Sequence, residues 1–472
     1  MDPNGWIREL LRQFSLENEK TAFEIYDGNQ VTFVTYAQFA KDILQAAGFF
    51  AEKQIAGKHI AIAAPNSYQW IVVFFAVAAS GNVAVPLNQE LPAELLQWQC
   101  QQADVAMVCC SNANTLEKIG NVPAVFFETI QAVSPLALEC VHTHAEEETL
   151  LMMFTSGTTG KSKTVVLSAK NLYVSATNMF SRCEQDFEKI LISLPLFHVG
   201  SVRTLLNRLI CKAELAMGRG AMYVFMDMPK LNPTHVGMVP AMAESLAKIM
   251  RRTPAEKMVN YLGNNFQGIM AVGASMKPSV ARYLLEQNVG INVIFGMTES
   301  AGDGSCCLLD EKHIGTIGKP DGNIAFRMEA GEILLRSEGV MQGYYNDPEE
   351  TAKVIVDGWL HTGDMGHCDE DGYYYITGRK KNVIILSNGE NVNPEEIEAA
   401  FSECDAIEES LVYSDGKGIY ADVFTADQTA ADAFIRSYNS SMPKYRQVYK
   451  VIYSADPLPK TGSGKIKRKQ NL

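Results

Sequence analysis

The sequence predicts an α/β fold, and three observations carry this. Short apolar and β-branched segments alternate with helix-periodic ones along the first part of the chain. The chain has 472 residues, 47% hydrophobic and 20% charged, which is enough for two or more domains around a large core. Several apolar runs end in small-residue turns, the places beyond strand ends where α/β sheets hold ligands.

Thr35 precedes a segment in which Phe39, Ile43, Ala46 and Phe50 recur on one helical face, so it caps a predicted helix. After the break at Gly57, residues 59–63 read as a strand, 68–79 as an apolar helix and 83–87 as a strand. A polar helix over 92–102 and a strand over 105–109 follow. This spacing implies a layered domain with a largely parallel sheet. Acidic Glu146, Glu147 and Glu148 separate that block from the next.

Charge and cysteine usage exclude several classes. A formal charge of -13 argues against a general binder of nucleic acid or anionic membrane, so any anion site must be locally basic. The ten cysteines are single or adjacent (Cys109-Cys110, Cys306-Cys307), without C-x-x-C spacing, and no residue pattern suggests a zinc site. Reduced thiols of a cytosolic protein are the expected state. The N-terminus lacks a basic region followed by an apolar one, and the longest apolar run, 70–79, is too short to span a bilayer. The expectation is a soluble, cytoplasmic protein.

The stretch LLMMFTSGTTGKSKTVVLS (150–168) is the focus of the chain. An apolar run enters a loop of Thr155, Ser156, Gly157, Thr158, Thr159 and Gly160, then Lys161, Ser162 and Lys163, and a β-branched run leaves it. Glycines bring backbone N–H groups close to a ligand, while hydroxyls and ammonium groups supply donors and positive charge, so the loop suits a polyphosphate. A polar hairpin turn has the same composition. The P-loop, G-x-x-x-x-G-K-[ST], matches only at Gly160-Lys161-Ser162; its first glycine would fall at Thr155, and it opens a helix, whereas Val165 and Val166 predict a strand.

Beyond a helix from about Ala169, residues 190–192 predict a strand that runs into Pro195-Leu196-Phe197-His198-Val199-Gly200. The methionines at 217, 222, 226, 228, 238 and 242 read mainly as core filling. Two further strands end in Gly273-Ala274-Ser275 and in Phe295-Gly296-Met297-Thr298-Glu299. Residues 331–336 predict a strand, and Gly343-Tyr344-Tyr345-Asn346-Asp347-Pro348 a turn before a helix. Then come Trp359-Leu360-His361-Thr362-Gly363-Asp364, Gly378-Arg379-Lys380-Lys381-Asn382, a strand-turn-helix with acidic residues about Pro394, and a basic tail around Lys465.

In this order the motifs resemble those of the acyl-adenylate-forming, AMP-binding superfamily, in its acyl-CoA synthetase branch, over nearly the whole chain. The resemblance implies a large multi-layer N-terminal domain (1–378) and a small mobile α+β C-terminal domain (379–472), with Lys381 at the hinge. It implies that the 155–163 loop, Gly273 to Ser275 and Phe295 to Thr298 bind ATP, that Glu299 holds Mg²⁺, and that Asp364 and Arg379 meet the ribose. Lys465 takes the place of the adenylation lysine, His198 lines the acyl or aryl pocket, and Gly389 and Glu390 border the CoA channel. Ser162 and Thr164 stand where the family often has Pro and Gly, and the C-terminal domain is short.

The reaction so implied is attack of a carboxylate on the α-phosphorus of ATP, release of pyrophosphate, and transfer of the acyl group to CoA with release of AMP. The absence of Asp in 197–200 favours an acyl or aryl acid over an amino acid. Loading of a carrier-protein phosphopantetheine is the alternative within the fold, and a non-catalytic nucleotide-binding regulator a remote one. A P-loop phosphotransferase would instead yield ADP.

Overall fold

In a computed structural model, residues 3–131, 134–155, 162–179, 187–386, 390–415, 418–460 and 466–468 are described. Two large sheets dominate. One runs, in spatial order, through Gly343–Tyr344, Thr164–Ser168, Thr149–Phe154, Val83–Pro86, His59–Ala63, Val105–Cys110 and Ala124–Phe126. The other runs through Gly304–Leu308, Gly290–Gly296, Gly268–Val272, His235–Met238, Lys189–Ile192, Glu214–Met217, Thr21–Tyr26 and Val31–Thr35.

Strand alternation makes the layers. In His59–Ala63, Ile60 and Ile62 face one core while Ala61 and Ala63 face another. In Lys189–Ile192, Ile190 and Ile192 join that same first core, and Leu191 packs on the opposite face of its sheet. The shared core is filled by the helices Trp6–Phe14, Tyr36–Glu52, Tyr68–Ala79, Ala169–Asn178 and Val199–Ile210. Helices also cover both outer faces, giving five layers, α–β–α–β–α.

Local chemistry explains the helices. Thr35 Oγ1 accepts the Gln38 N–H at the start of Tyr36–Glu52, and Phe39, Ile43, Ala46 and Phe50 are all buried. Every residue from Trp70 to Ala79 is buried, as a helix between two sheets requires. Ser168 and Asn171 form a capping box at the start of Ala169–Asn178.

The predicted alternation in the first block holds, with its strands paired in parallel. Residues 149–154 and 164–168 form an antiparallel hairpin, closed by Thr155 N–H to Lys163 O at 2.9 Å and Lys163 N–H to Thr155 Oγ1 at 3.1 Å. A strand, not a helix, leaves the loop, which removes the P-loop reading. The methionines are mainly core, as expected: Met217, Met228 and Met238 are buried and Met242 packs against the core that holds Met228 and Met238, while Met222 and Met226 are 93% and 61% exposed.

A third, antiparallel sheet contains Glu332–Arg336, Trp359–Cys368 and Tyr374–Arg379. The smaller C-terminal domain has its own apolar core, with Ile397 and Phe401 of the helix Pro394–Phe401 packed on the sheet Glu409–Ser414, Ile419–Phe424 and Val448–Ser454. Among the described residues, no helix is long and apolar enough to cross a membrane.

Candidate active site

The loop hairpin belongs to the seven-stranded sheet and Glu299 follows a strand of the eight-stranded one, yet a tyrosine joins them. Tyr344 lies in the edge strand Gly343–Tyr344, which pairs with Thr164–Ser168 through Tyr344↔Val165. Its hydroxyl donates to Glu299 Oε1 at 3.0 Å, and its ring lies 4.5 Å from Lys163 Nζ. The phenol is pushed well above the ordinary tyrosine range by burial and by the Glu299 charge, so it stays a donor. Lys163 Nζ also lies 2.6 Å from Glu350 Oε2.

Glu299 is half-buried in the turn Thr298–Ser300. Gly296 lets that turn close, because a Cβ there would stand 2.1 Å from Gly302 O. Met341 N–H donates to Glu299 O at 2.8 Å. Arg203, in the helix after His198, supports the turn from within: its guanidinium donates to Gly302 O at 2.9 Å and to Asp303 Oδ1 at 3.2 Å, with both side chains buried. Breaking one half of such a pair leaves a buried charge uncompensated.

A second contact set lies on the third sheet. Asp364 and Arg379 are cross-strand partners, and Arg379 Nε lies 2.8 Å from Asp364 Oδ1. Arg379 also donates to Thr362 O at 3.0 Å. Glu332 anchors the same segment, accepting from Gly363 N–H at 2.9 Å and pairing with Lys380 at 2.8 Å. The Lys381 ammonium is held below its ordinary value by desolvation and then by the nearby positive charges of Arg379 and Lys163.

Other expected site residues stand at element ends outside these two sets. Gly273, Ala274 and Ser275 form an exposed turn after Gly268–Val272, level with Phe295 because Val272 is in register with Ile294. Phe295 packs edge-on against Phe326, and Met297 and Thr298 open the turn that carries Glu299. His198 precedes the helix Val199–Ile210, its ring 4.6 Å from that of Phe197. Glu390 is exposed, and its carbonyl accepts from Leu386 N–H at 2.9 Å. Ser156, Gly157, Thr158, Thr159, Gly160, Lys161, Gly389 and Lys465 lie outside the described residues.

Tyr344, Glu350 and Arg203 escape a reading of the sequence. Gly343 and Tyr344 read as a turn because two residues carry no strand periodicity; only their pairing with Val165 and Val166 makes them sheet. The acidic helix about Pro394, which reads as solvated surface, is also different in three dimensions. Glu395 and Glu398 pair with Arg468 at 3.0 and 2.7 Å, tying the basic tail to the C-terminal domain.

Comparison with known proteins identifies the family. The AMP-binding enzyme family matches residues 11–345, and the AMP-binding enzyme C-terminal domain matches residues 381–472. A 2-succinylbenzoate–CoA ligase of Bacillus cytotoxicus is 26% identical, over 98% of this chain and 97% of its own length. A long-chain-fatty-acid–CoA ligase, FadD13 of Mycobacterium tuberculosis, is 27% identical over 98% and 96%. The O-succinylbenzoate coenzyme A synthetase MenE of Bacillus subtilis, solved with AMP, superposes with a TM-score of 0.86 at 22% identity, covering 98% of this chain and 97% of that one. The chain therefore belongs to the AMP-binding enzyme family.

Proposed function

We propose that this protein is an AMP-forming acid–CoA ligase. The observation that carries the reading is the Tyr344 bridge, which sets the strand leaving the polyphosphate-type loop against the carboxylate of Glu299. The relatives compared with it are named as CoA ligases, which favours CoA over a carrier-protein phosphopantetheine as the thiol.

ATP binds with its β- and γ-phosphates on residues 155–163, where Lys163 supplies charge. The turns at Gly273 to Ser275 and Phe295 to Thr298 border the adenine. Asp364 accepts from the vicinal ribose hydroxyls, with Arg379 beside it. The donor set fits Mg²⁺: Glu299 is a half-buried carboxylate at the phosphate end of the site, and a hard ion of this kind takes one or two protein oxygens together with phosphate. When bound, the ion neutralises charge on the leaving pyrophosphate.

The substrate carboxylate attacks the α-phosphorus and pyrophosphate departs. Lys465, which takes the adenylation-lysine position of the family's last motif, stabilises the charge that develops between the two anions, a contribution on the order of 10²- to 10³-fold in rate. The acyl-adenylate then meets the CoA thiol; the carbonyl–sulfur bond forms and AMP leaves. Between the steps the C-terminal domain, bounded at 378/379, rotates about Lys381, withdrawing Lys465 and bringing Gly389 and Glu390 to the thiol channel. The acid has an uncharged acyl or aryl tail, since Phe197-His198-Val199-Gly200 offers no carboxylate to an ammonium.

The test is release of pyrophosphate and AMP from ATP and Mg²⁺ over a panel of fatty, branched and aromatic acids, with and without CoA. One acid class that gives pyrophosphate, and acyl-CoA plus AMP when CoA is added, is the expected result. Lys465→Ala is expected to lose adenylation while retaining thioester formation from preformed acyl-adenylate. ADP as product, or no acid-dependent pyrophosphate from any member of the panel, would overturn the reading.

A further inference from the structure

The segment before the loop hairpin holds a cluster that the proposed reaction does not use. His142, His144 and Glu148 each present one ligand atom, and these atoms lie within 4.8 Å of one another. His142 Nε2 is 2.6 Å from Glu148 Oε1, while the ring centroids of His142 and His144 are 4.6 Å apart and nearly perpendicular. The His-x-His-x₃-Glu spacing is not one that marks a metal site in a sequence, which is why the pattern passes unnoticed there.

His144 supplies an independent observation. It is 1% exposed, and neither ring nitrogen has a hydrogen-bond partner among the described residues. A buried imidazole that makes no hydrogen bond is costly, and coordination of a cation satisfies it.

The backbone fixes all three residues. His142 N–H donates to Ala79 O at 2.9 Å, Gly5 N–H to His144 O at 3.1 Å, and Ala145 N–H to Glu148 Oε2 at 3.1 Å. Gly81 makes room for the His142 ring, since a Cβ there would come within 3.1 Å of its Cγ and Nδ1. The His142 Nε2 faces the Glu148 carboxylate.

We propose that His142, His144 and Glu148 bind a divalent d-block cation of the Zn²⁺ class, distinct from the Mg²⁺ of the reaction. Two imidazoles and one carboxylate form a ligand set that borderline ions take in preference to Mg²⁺ or Ca²⁺, which select oxygens. Around tetrahedral Zn²⁺, donor atoms lie roughly 3.4 Å apart, between the 2.6 Å of the His142–Glu148 contact and the 4.8 Å limit of the cluster. The ion ties the start of the helix Trp6–Phe14 and the end of Tyr68–Ala79 to the strand Thr149–Phe154, whose far end is followed by Thr155. Its role is to brace the root of the phosphate hairpin.

The other His–carboxylate cluster among the described residues, His313, Asp369 and Asp371, is a useful control. Its His313 ring already meets Asp310 at 2.8 Å and stacks on Tyr373, and Asp371 is paired with Lys312.

The experiment titrates chelator-treated full-length protein with Co²⁺, read by its visible d–d absorption, and with Zn²⁺ by calorimetry. Wild type and Asp371→Asn are expected to bind one equivalent with the absorption of a low-coordinate Co²⁺ site, undiminished by excess Mg²⁺. His142→Ala and Glu148→Gln change half-exposed side chains, and circular dichroism verifies their fold; each is expected to weaken binding on the order of 100-fold. Zn²⁺ is expected to raise the melting temperature of wild type and of neither variant. No stoichiometric binding, or affinity unchanged in His142→Ala and Glu148→Gln, would overturn the proposal, as would loss confined to Asp371→Asn.

Discussion

The hydroxyl of Tyr344 donates to Glu299 Oε1 across 3.0 Å, joining the edge of one large sheet to the turn that follows a strand of the other. The carboxylate is aimed by a buried phenol. Tyr344→Phe is expected to lower the rate of pyrophosphate release about 10-fold and to raise the Mg²⁺ concentration needed for half-maximal rate. Glu299→Gln is expected to cost on the order of 10²- to 10³-fold. Mg²⁺ dependence unchanged in Tyr344→Phe would separate the phenol from the ion site.

Lys163 pairs with Glu350 and, in the proposed function, also meets the phosphates of ATP. The Glu350 carboxyl is pulled down to about 2 by hydrogen bonds from Lys163 and then Lys353, so it is ionised throughout any ordinary assay range. The pair is too accessible to solvent to matter much for stability. Lys163→Ala is therefore expected to raise the KM for ATP several-fold without a change in Tm. Glu350→Gln, which frees the lysine, is expected to lower it or leave it unchanged.

Asp364 is almost fully buried and meets Arg379 at 2.8 Å. Asp364→Asn is expected to reduce kcat/KM for ATP by about 10- to 100-fold. 2′-Deoxy-ATP supplies the discriminating control: wild type should use it poorly relative to ATP, and Asp364→Asn should discriminate less. Equal discrimination by both proteins would remove the ribose assignment.

His235 is fully buried, and desolvation followed by the Arg208 charge holds its pKa down to about 4, below the ordinary 6.5. The unfolded chain therefore binds the extra proton first as pH falls. The stability that comes from keeping this ring neutral is complete above pH 6.5 and is lost progressively between about 6.5 and 4. The melting temperature of wild type should fall through that window; His235→Gln, although less stable at neutral pH because its ring contact with Phe187 is gone, should show a shallower fall.

Much of the molecule is legible from local pattern. The cap at Thr35, the helix Tyr68–Ala79 and the strand His59–Ala63 follow from periodicity and turn chemistry, which act over a few residues. Asp364 and Arg379, fifteen positions apart, stand within motifs whose order is visible in the chain, and the structure sets them side by side as cross-strand partners. The errors are equally physical. Met222 and Met226 lie on the exposed side of a segment that buries Val224 and Met228, which residue type alone does not distinguish, and the acidic helix Pro394–Phe401 is neutralised by Arg468, a partner 70 residues from Glu398.

By itself the sequence determined the α/β class, the order of the strands and turns, and the residue types gathered at strand ends, because these depend on spacing along the chain. Tertiary structure alone decided that Tyr344 belongs to a sheet and touches Glu299, that Glu350 holds Lys163, that Arg203 supports the Glu299 turn, and that His142 and His144 converge on Glu148. Each of these rests on which surfaces the layers bring together. A hydrogen bond between residues 45 positions apart leaves no periodicity behind, so only the packing of the two sheets reveals it.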